Sequence, residues 1–192
     1  MQNQKNGRRV GFILSTIYTG SALRLWHKIV SRAIQDKNAF FVFPGGKLNL
    51  KNESERFRNS IYELANPKNI DGLISWASSI SGSVSVQELE EFHKKFSDIP
   101  AVTIGQKIVG CPCSEFDAYT GMKSLVLHFI QAHGVKKIAF IRGPKSHTSA
   151  EDRFRGFEDA LSESGLLTEE SKLLVSDAMS WTEGERGAAQ LC

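Results

Sequence analysis

Between residues 137 and 161 the chain reads KIAFIRGPKSHTSAEDRFRGFEDAL. A short apolar run closes on Arg142-Gly143-Pro144. A polar loop with Lys145, Ser146, His147 and Thr148 follows, and then a helix opens that carries Arg153, Arg155 and Gly156 in its first turns. A guanidinium is a planar fork of donors that fits a carboxylate or a pair of neighbouring hydroxyls. Polar groups gathered where a strand ends and a helix begins are what an open α/β sheet uses to hold a ligand. The chemistry suggested is therefore recognition.

Signatures of covalent chemistry are missing. There is no Gly-x-Ser-x-Gly elbow, no His-Glu-x-x-His and no kinase catalytic loop. Gly143-Pro144 is not a dinucleotide-binding fingerprint. Pro44-Gly45-Gly46 lacks the Lys-Ser/Thr ending of a phosphate loop and reads as a turn. The carboxylate pairs Glu90/Glu91 and Glu169/Glu170 lie on helix faces or in loops without a base partner. Cys111, Cys113 and Cys192 make an odd count, and Cys-Pro-Cys has no second ligand pair near it in sequence. No catalytic residue, cofactor, metal or disulfide framework is expected.

The elements that would position these groups alternate in kind. Short β-rich runs stand at 10–15, 39–44, 71–77, 100–105, 137–143 and 172–177. Several are nearly continuous in apolar character, as strands buried on both faces of a parallel sheet are. Helical spacing lies between them. Residues 21–37 place Leu25, Ile29 and Ala33 on one face, with Leu23, Val30 and Ile34 close by. Residues 54–66 align Phe57, Ile61 and Leu64. Residues 85–98 align Leu89, Phe92 and Phe96 behind a Ser85/Glu88 capping box. Residues 118–134 align Leu125, Phe129 and Ile130 and stop at Gly134.

Strand alternating with helix predicts an α/β fold of doubly wound parallel sheets. The stretch 105–118 interrupts the rhythm, which then restarts. The reading is a polar tail over 1–9, a first α/β lobe over 10–108, a hinge over 109–117 and a partial second α/β lobe over 118–192. An extended segment around Cys113 to Phe116 is expected to lead the second lobe, which looks incomplete at its C-terminal end.

Composition sets the outer bounds. The 192 residues are 41% hydrophobic and 23% charged, an ordinary globular balance. The net charge of +3 is mixed along the chain, short of the basic stripe of a nucleic-acid-binding face. No apolar run approaches the length of a membrane span. The polar start followed by VGFIL lacks the form of a secretory signal, so a cytoplasmic address is expected.

Taken together, Asp117, Gly134, Gly143, Pro144, Arg153, Gly156 and Phe157 resemble the second-lobe opening of the LacI/GalR sensor domains, which share the type I periplasmic-binding-protein fold. Val135 stands where that pattern has His. FPGGKLN (43–49), IYELANPKNIDGLI (61–74) and HGVKKIAFIRGP (133–144) narrow the likeness to a sub-branch that forms N-terminal sensor modules of bacterial signalling proteins. Only nine residues precede Val10, too few for a helix-turn-helix headpiece, so direct DNA binding by this chain is not expected.

The resemblance implies a small-ligand-sensing module of a regulatory protein, for transcriptional regulation or signal transduction. Closure around a small polar ligand, a sugar or nucleoside, would be passed to an output domain. It implies a homodimer pairing through first-lobe helices, here 54–66 and 85–98. The alternatives are a solute-binding protein of a transport system and a dimerising domain with an empty cleft. The groups offered for a ligand are Ser15 and Tyr18 after the first strand, with Thr16 between them, and Trp76, Ser78 and Ser79 after the third. The end of the hinge offers Asp117, and the second lobe the loop of Ser146, His147 and Thr148. By the family pattern it also offers Arg153, and Trp181 in the loop after KLLVSD.

Overall fold

The computed structural model describes residues 7–18, 20–48, 53–82, 84–145, 147–166, 173–175 and 181–191. The chain divides into two compact units, Met1–Glu115 and Phe116–Cys192.

The first unit is a parallel sheet with helices around it. Its elements are β1 (Arg9–Leu14), α1 (Gly20–Gln35), β2 (Ala39–Pro44), α2 (Glu53–Arg58), β3 (Gly72–Ser75), α3 (Ala77–Ile80), α4 (Val86–His93), β4 (Ala101–Ile104) and β5 (Cys113–Ser114). The strand order is β2-β1-β3-β4-β5, and every pairing is parallel. Phe12, Ile13 and Leu14 are consecutive and fully buried, so β1 is covered on both faces. This is why its sequence runs apolar without alternation. One face carries the main core, in which Ile13, Phe43 and Leu73 meet Tyr62, Ile80, Leu89 and Phe96. Over the other, Ile29 and Ala33 of α1 stand with Val10, Phe40 and Ile74 around a shallow depression.

The α/β class and the parallel pairing are those expected; several faces and one boundary differ. On α1, Leu23 and Ile34 are 48% and 68% exposed, so the apolar stripe is narrower than the spacing suggested. The helix expected over 54–66 ends at Arg58 and continues as a 3₁₀ turn over Asn59–Leu64. Tightening to three residues per turn rotates the side chains. Phe57 and Leu64 turn outward, while Tyr62 is 1% exposed. The Tyr62 hydroxyl meets the Gly46 carbonyl at 2.6 Å and the Leu14 carbonyl at 3.0 Å, and Asn59 Nδ2 donates to the Gly45 carbonyl at 2.7 Å. These bonds draw the turn onto the strand ends. A Cβ at Gly45 would stand 2.4 Å from the Tyr62 ring, which explains the glycine of that turn.

Helix α4 begins as expected. Ser85 Oγ accepts from the Glu88 N–H at 3.2 Å and Glu88 Oε2 accepts from the Ser85 N–H at 2.8 Å. The chain then passes into a 3₁₀ turn over Lys94–Phe96. The extended segment near Cys113 does not lead a second sheet. Thr103 pairs with Cys113 and Ile104 with Ser114, so it is the edge strand of the first.

The second unit contains α5 (Ala118–His133), β6 (Phe140–Arg142), α6 (Thr148–Glu163), β7 (Leu173–Val175) and α7 (Trp181–Leu191). Strands β6 and β7 pair in parallel, Phe140 opposite Leu173 and Arg142 opposite Val175. The core joins Val126 to Phe157, Ala160 and Leu161, with Met122, Ile130 and Phe140 packed against it. The inward face of α5 is therefore rotated from the expected one: Leu125 and Phe129 are 47% and 41% exposed. The cause is close contact with α6. A Cβ at Gly156 would lie 2.5 Å from the Tyr119 carbonyl oxygen and 3.3 Å from Met122 Cβ, so α5 meets α6 through positions 119, 122 and 126.

Candidate functional site

In a parallel sheet ordered 2-1-3-4-5, the direction of winding reverses between β1 and β3. The crevice beyond their carboxyl ends is where such folds bind ligands. The structure ties the two loops there together. The Trp76 N–H donates to the Ile13 carbonyl at 2.9 Å, the Ser15 N–H donates to Ser79 Oγ at 3.1 Å, and Ser79 Oγ donates to the Trp76 carbonyl at 2.9 Å. Ser15, Trp76 and Ser78 are half-buried at this rim. Gly105, at the end of β4, has φ +75°. A Cβ there would lie 2.2 Å from Ser78 Oγ and 3.9 Å from Trp76 Nε1, so the backbone approaches both side chains closely. Tyr18 stands 76% exposed, its N–H bonded to Thr16 Oγ1 at 3.2 Å.

Beneath this rim lies a pair that sequence reading passed over. Ser75 ends β3 and is fully buried; His93 ends α4 and is 6% exposed. His93 Nδ1 lies 2.7 Å from the Leu89 carbonyl and Nε2 lies 2.8 Å from Ser75 Oγ. A carbonyl only accepts, so Nδ1 carries the proton and Ser75 donates to Nε2. Burial lowers the affinity of the imidazole for a second proton, against the Leu89 bond, which raises it. The available signal was a histidine four residues after Leu89 on an apolar helical face.

In the second unit, Asp117 caps α5. Its Oδ1 accepts from the Thr120 N–H at 2.9 Å, and this bond holds the carboxyl below the usual range. His147 occupies the N-cap position of α6 in extended conformation, half-buried, and its carbonyl accepts from the Ala150 N–H at 2.8 Å. Ser146 lies outside the described residues. Trp181 is not in a loop: it is the first residue of α7 and is 94% exposed.

Arg153 lies half-buried in α6. Its two acidic neighbours are engaged elsewhere: Glu151 with Arg142, and Asp152 with Arg155 at 2.7 Å. Residues one and two apart on a helix do not face each other, which prevents Arg153 from competing. Among the described residues the Arg153 guanidinium has neither hydrogen bond nor ion pair. Arg142, overlooked as a candidate, is 8% exposed and lies over the Phe154 ring, 4.0 Å from its centroid. An arginine ending an otherwise apolar strand was its visible mark. Arg142 thus orders the strand end from which the His147 loop departs.

Among the described residues no group of three or more His, Cys, Asp or Glu is placed to hold a metal ion, and no helix is long and apolar enough to cross a membrane. The geometry offers hydrogen bonding, stacking and a free guanidinium.

Known proteins resemble this chain in sequence and fold. A curated relative, the HTH-type transcriptional repressor PurR of Haemophilus influenzae, is 25% identical over 168 residues, covering 87% of this chain and 46% of the repressor. The chain thus spans about half the length of the curated relatives it matches. Two solved structures share the fold. The transcription regulator CcpA of Lactococcus lactis has a TM-score of 0.74 at 21% identity, over 96% of this chain and 64% of that one. The Cra regulator of Pseudomonas putida, in complex with fructose 1-phosphate, has a TM-score of 0.69 at 19% identity, over 96% and 63%. The family described as periplasmic binding proteins and sugar binding domain of the LacI family matches residues 17–190, and the chain belongs to it.

Proposed function

We propose that the chain is the ligand-sensing part of a bacterial regulatory protein and that its ligand is a small polar molecule, a sugar, sugar phosphate or nucleoside. The observation that carries this reading is Arg153. A half-buried guanidinium without a protein partner among the described residues is one whose hydrogen bonds a ligand can complete. Ser15, Trp76 and Ser78 at the rim of the first sheet, with Tyr18 beside them, supply hydroxyls and aromatic faces of the kind that orient a sugar ring. His147 and Trp181 are proposed as further contacts, and Asp117 as a contact through the carboxylate oxygen its cap leaves over.

Family membership supports a mode of action in which ligand binding biases a movement about residues 109–117. The free energy available to an output domain is then the difference in ligand affinity between two arrangements. A cytoplasmic address and a homodimer complete the proposal. The exposed Phe57 and Leu64, on one of the helical stretches expected to pair, favour the dimer. Sedimentation of the chain across a concentration series tests it.

The deciding experiment is a thermal-shift screen of the purified chain against sugars, sugar phosphates and nucleosides. At least one compound should raise Tm in a concentration-dependent way. Arg153→Ala should remove that shift while leaving the unliganded Tm within about 2 °C, as for a surface change of small energetic cost. A ligand that stabilises Arg153→Ala equally would remove Arg153 from the site and the reading with it.

A further inference from the structure

The C-terminal turns of α5 carry two histidines outside the site described above. His128 and His133 are both exposed, and their Nε2 atoms are 3.2 Å apart. Their rings stand nearly perpendicular, at 82° with centroids 4.9 Å apart, and the Phe129 ring flanks both. The placement of His133 follows from how the helix ends. Gly134 adopts φ 65°, its N–H bonds the Ile130 carbonyl at 3.0 Å, and the Val135 N–H bonds the Phe129 carbonyl at 3.2 Å. This left-handed termination anchors the final turn, so His133 is held toward His128 by backbone bonds.

Two imidazole nitrogens each about 2.0–2.1 Å from one metal stand about 3.3 Å apart at a tetrahedral angle and about 2.9 Å apart at the right angle of a square or octahedral site. The observed separation fits such a chelate with hardly any movement. The site also lies at the carbonyl end of a helix of sixteen residues, whose partial negative charge favours a cation. We propose that His128 and His133 form a two-imidazole site for a divalent transition metal of the imidazole-preferring group, Ni²⁺, Cu²⁺ or Zn²⁺, with water in the remaining positions. Among the described residues no third protein ligand joins them, so the metal is exchangeable. Both rings carry their proton on Nδ1 when the metal is bound, and acid competes with it. Affinity follows the order in which Cu²⁺ exceeds Ni²⁺ and Zn²⁺. The site is independent of the ligand reading above.

Ni²⁺ alone, titrated into the purified 192-residue chain at neutral pH, tests this. Calorimetry reports affinity, and paramagnetic broadening of imidazole proton signals reports location. Broadening should appear first at His128 and His133. His128→Gln and His133→Gln should each weaken binding by at least about ten-fold, because a lost ligand costs no less than a lost supporting bond. His27→Gln, an exposed histidine on α1, should bind as the parent does. The proposal fails if either His128→Gln or His133→Gln keeps parental affinity, or if broadening begins at His27 or His147 instead.

Discussion

Ser75 Oγ donates its hydrogen to His93 Nε2 at 2.8 Å, joining the end of β3 to the end of α4. The residue after Ser75 is Trp76, so the bond anchors the root of the rim proposed to hold the ligand. In this direction the bond needs a neutral His93; a protonated ring could only donate Nε2–H to Ser75 Oγ, reversing it.

That condition predicts a pH dependence of stability. Burial lowers the folded-state pKa of His93 from its ordinary 6.5. Below 6.5 the unfolded chain takes up a proton that the folded chain resists. Protonation then favours unfolding, and stability falls as pH drops from 6.5 toward the folded-state value, levelling off beneath it. Urea melts between pH 7.5 and 5 should show this fall, and His93→Leu should show a shallower one. Equal slopes would mean that His93 does not titrate as described.

His93→Leu should also destabilise at neutral pH. It strands a fully buried Ser75 hydroxyl, at a cost of about 1–3 kcal/mol. Ser75→Ala combined with His93→Leu should recover part of that loss, because both polar partners are then gone. A double variant no better than the single would show that the loss comes from packing.

Glycine substitutions should separate the two helices that carry them. Gly156→Ala places a Cβ 2.5 Å from the Tyr119 carbonyl oxygen, and backbone must move. An overpacking cost of about 1–3 kcal/mol is expected. Gly184→Ala, in α7 with no heavy atom within 4 Å of the added carbon, should stabilise by about 0.5–1 kcal/mol. Chemical denaturation of both variants checks the opposite signs.

Ser85→Ala removes the Oγ acceptor of the Glu88 N–H from the α4 capping box and leaves the backbone bond from residue 85 to Glu88 Oε2. A loss of about 1 kcal/mol is expected. Hydrogen exchange should rise selectively in the first turn of α4; a uniform rise across the unit would place the effect elsewhere.

Legibility differed by scale. Strands were readable because burial on both faces leaves continuous apolar runs, as at Phe12, Ile13 and Leu14. The Ser85 cap and the Gly134 stop were readable because a cap is local, satisfied within a few residues. Helical faces were less so. Periodicity named Leu125 and Phe129 for the inward side of α5, but Gly156 on α6 lets another face approach more closely. The family pattern brought Arg153 to notice, yet its freedom from ion pairs depends on how Arg142 and Arg155 are placed.

By itself, then, the amino-acid sequence determined the α/β class, the parallel strands, the helix caps and the family, because these rest on local pattern and motif. Only the tertiary structure decided that Cys113 belongs to the first sheet, that Tyr62 and not Phe57 enters the core, and that Ser75 and His93 share a hydrogen. Each of those depends on groups far apart along the chain meeting within a few ångströms. A pattern along one dimension does not contain that distance.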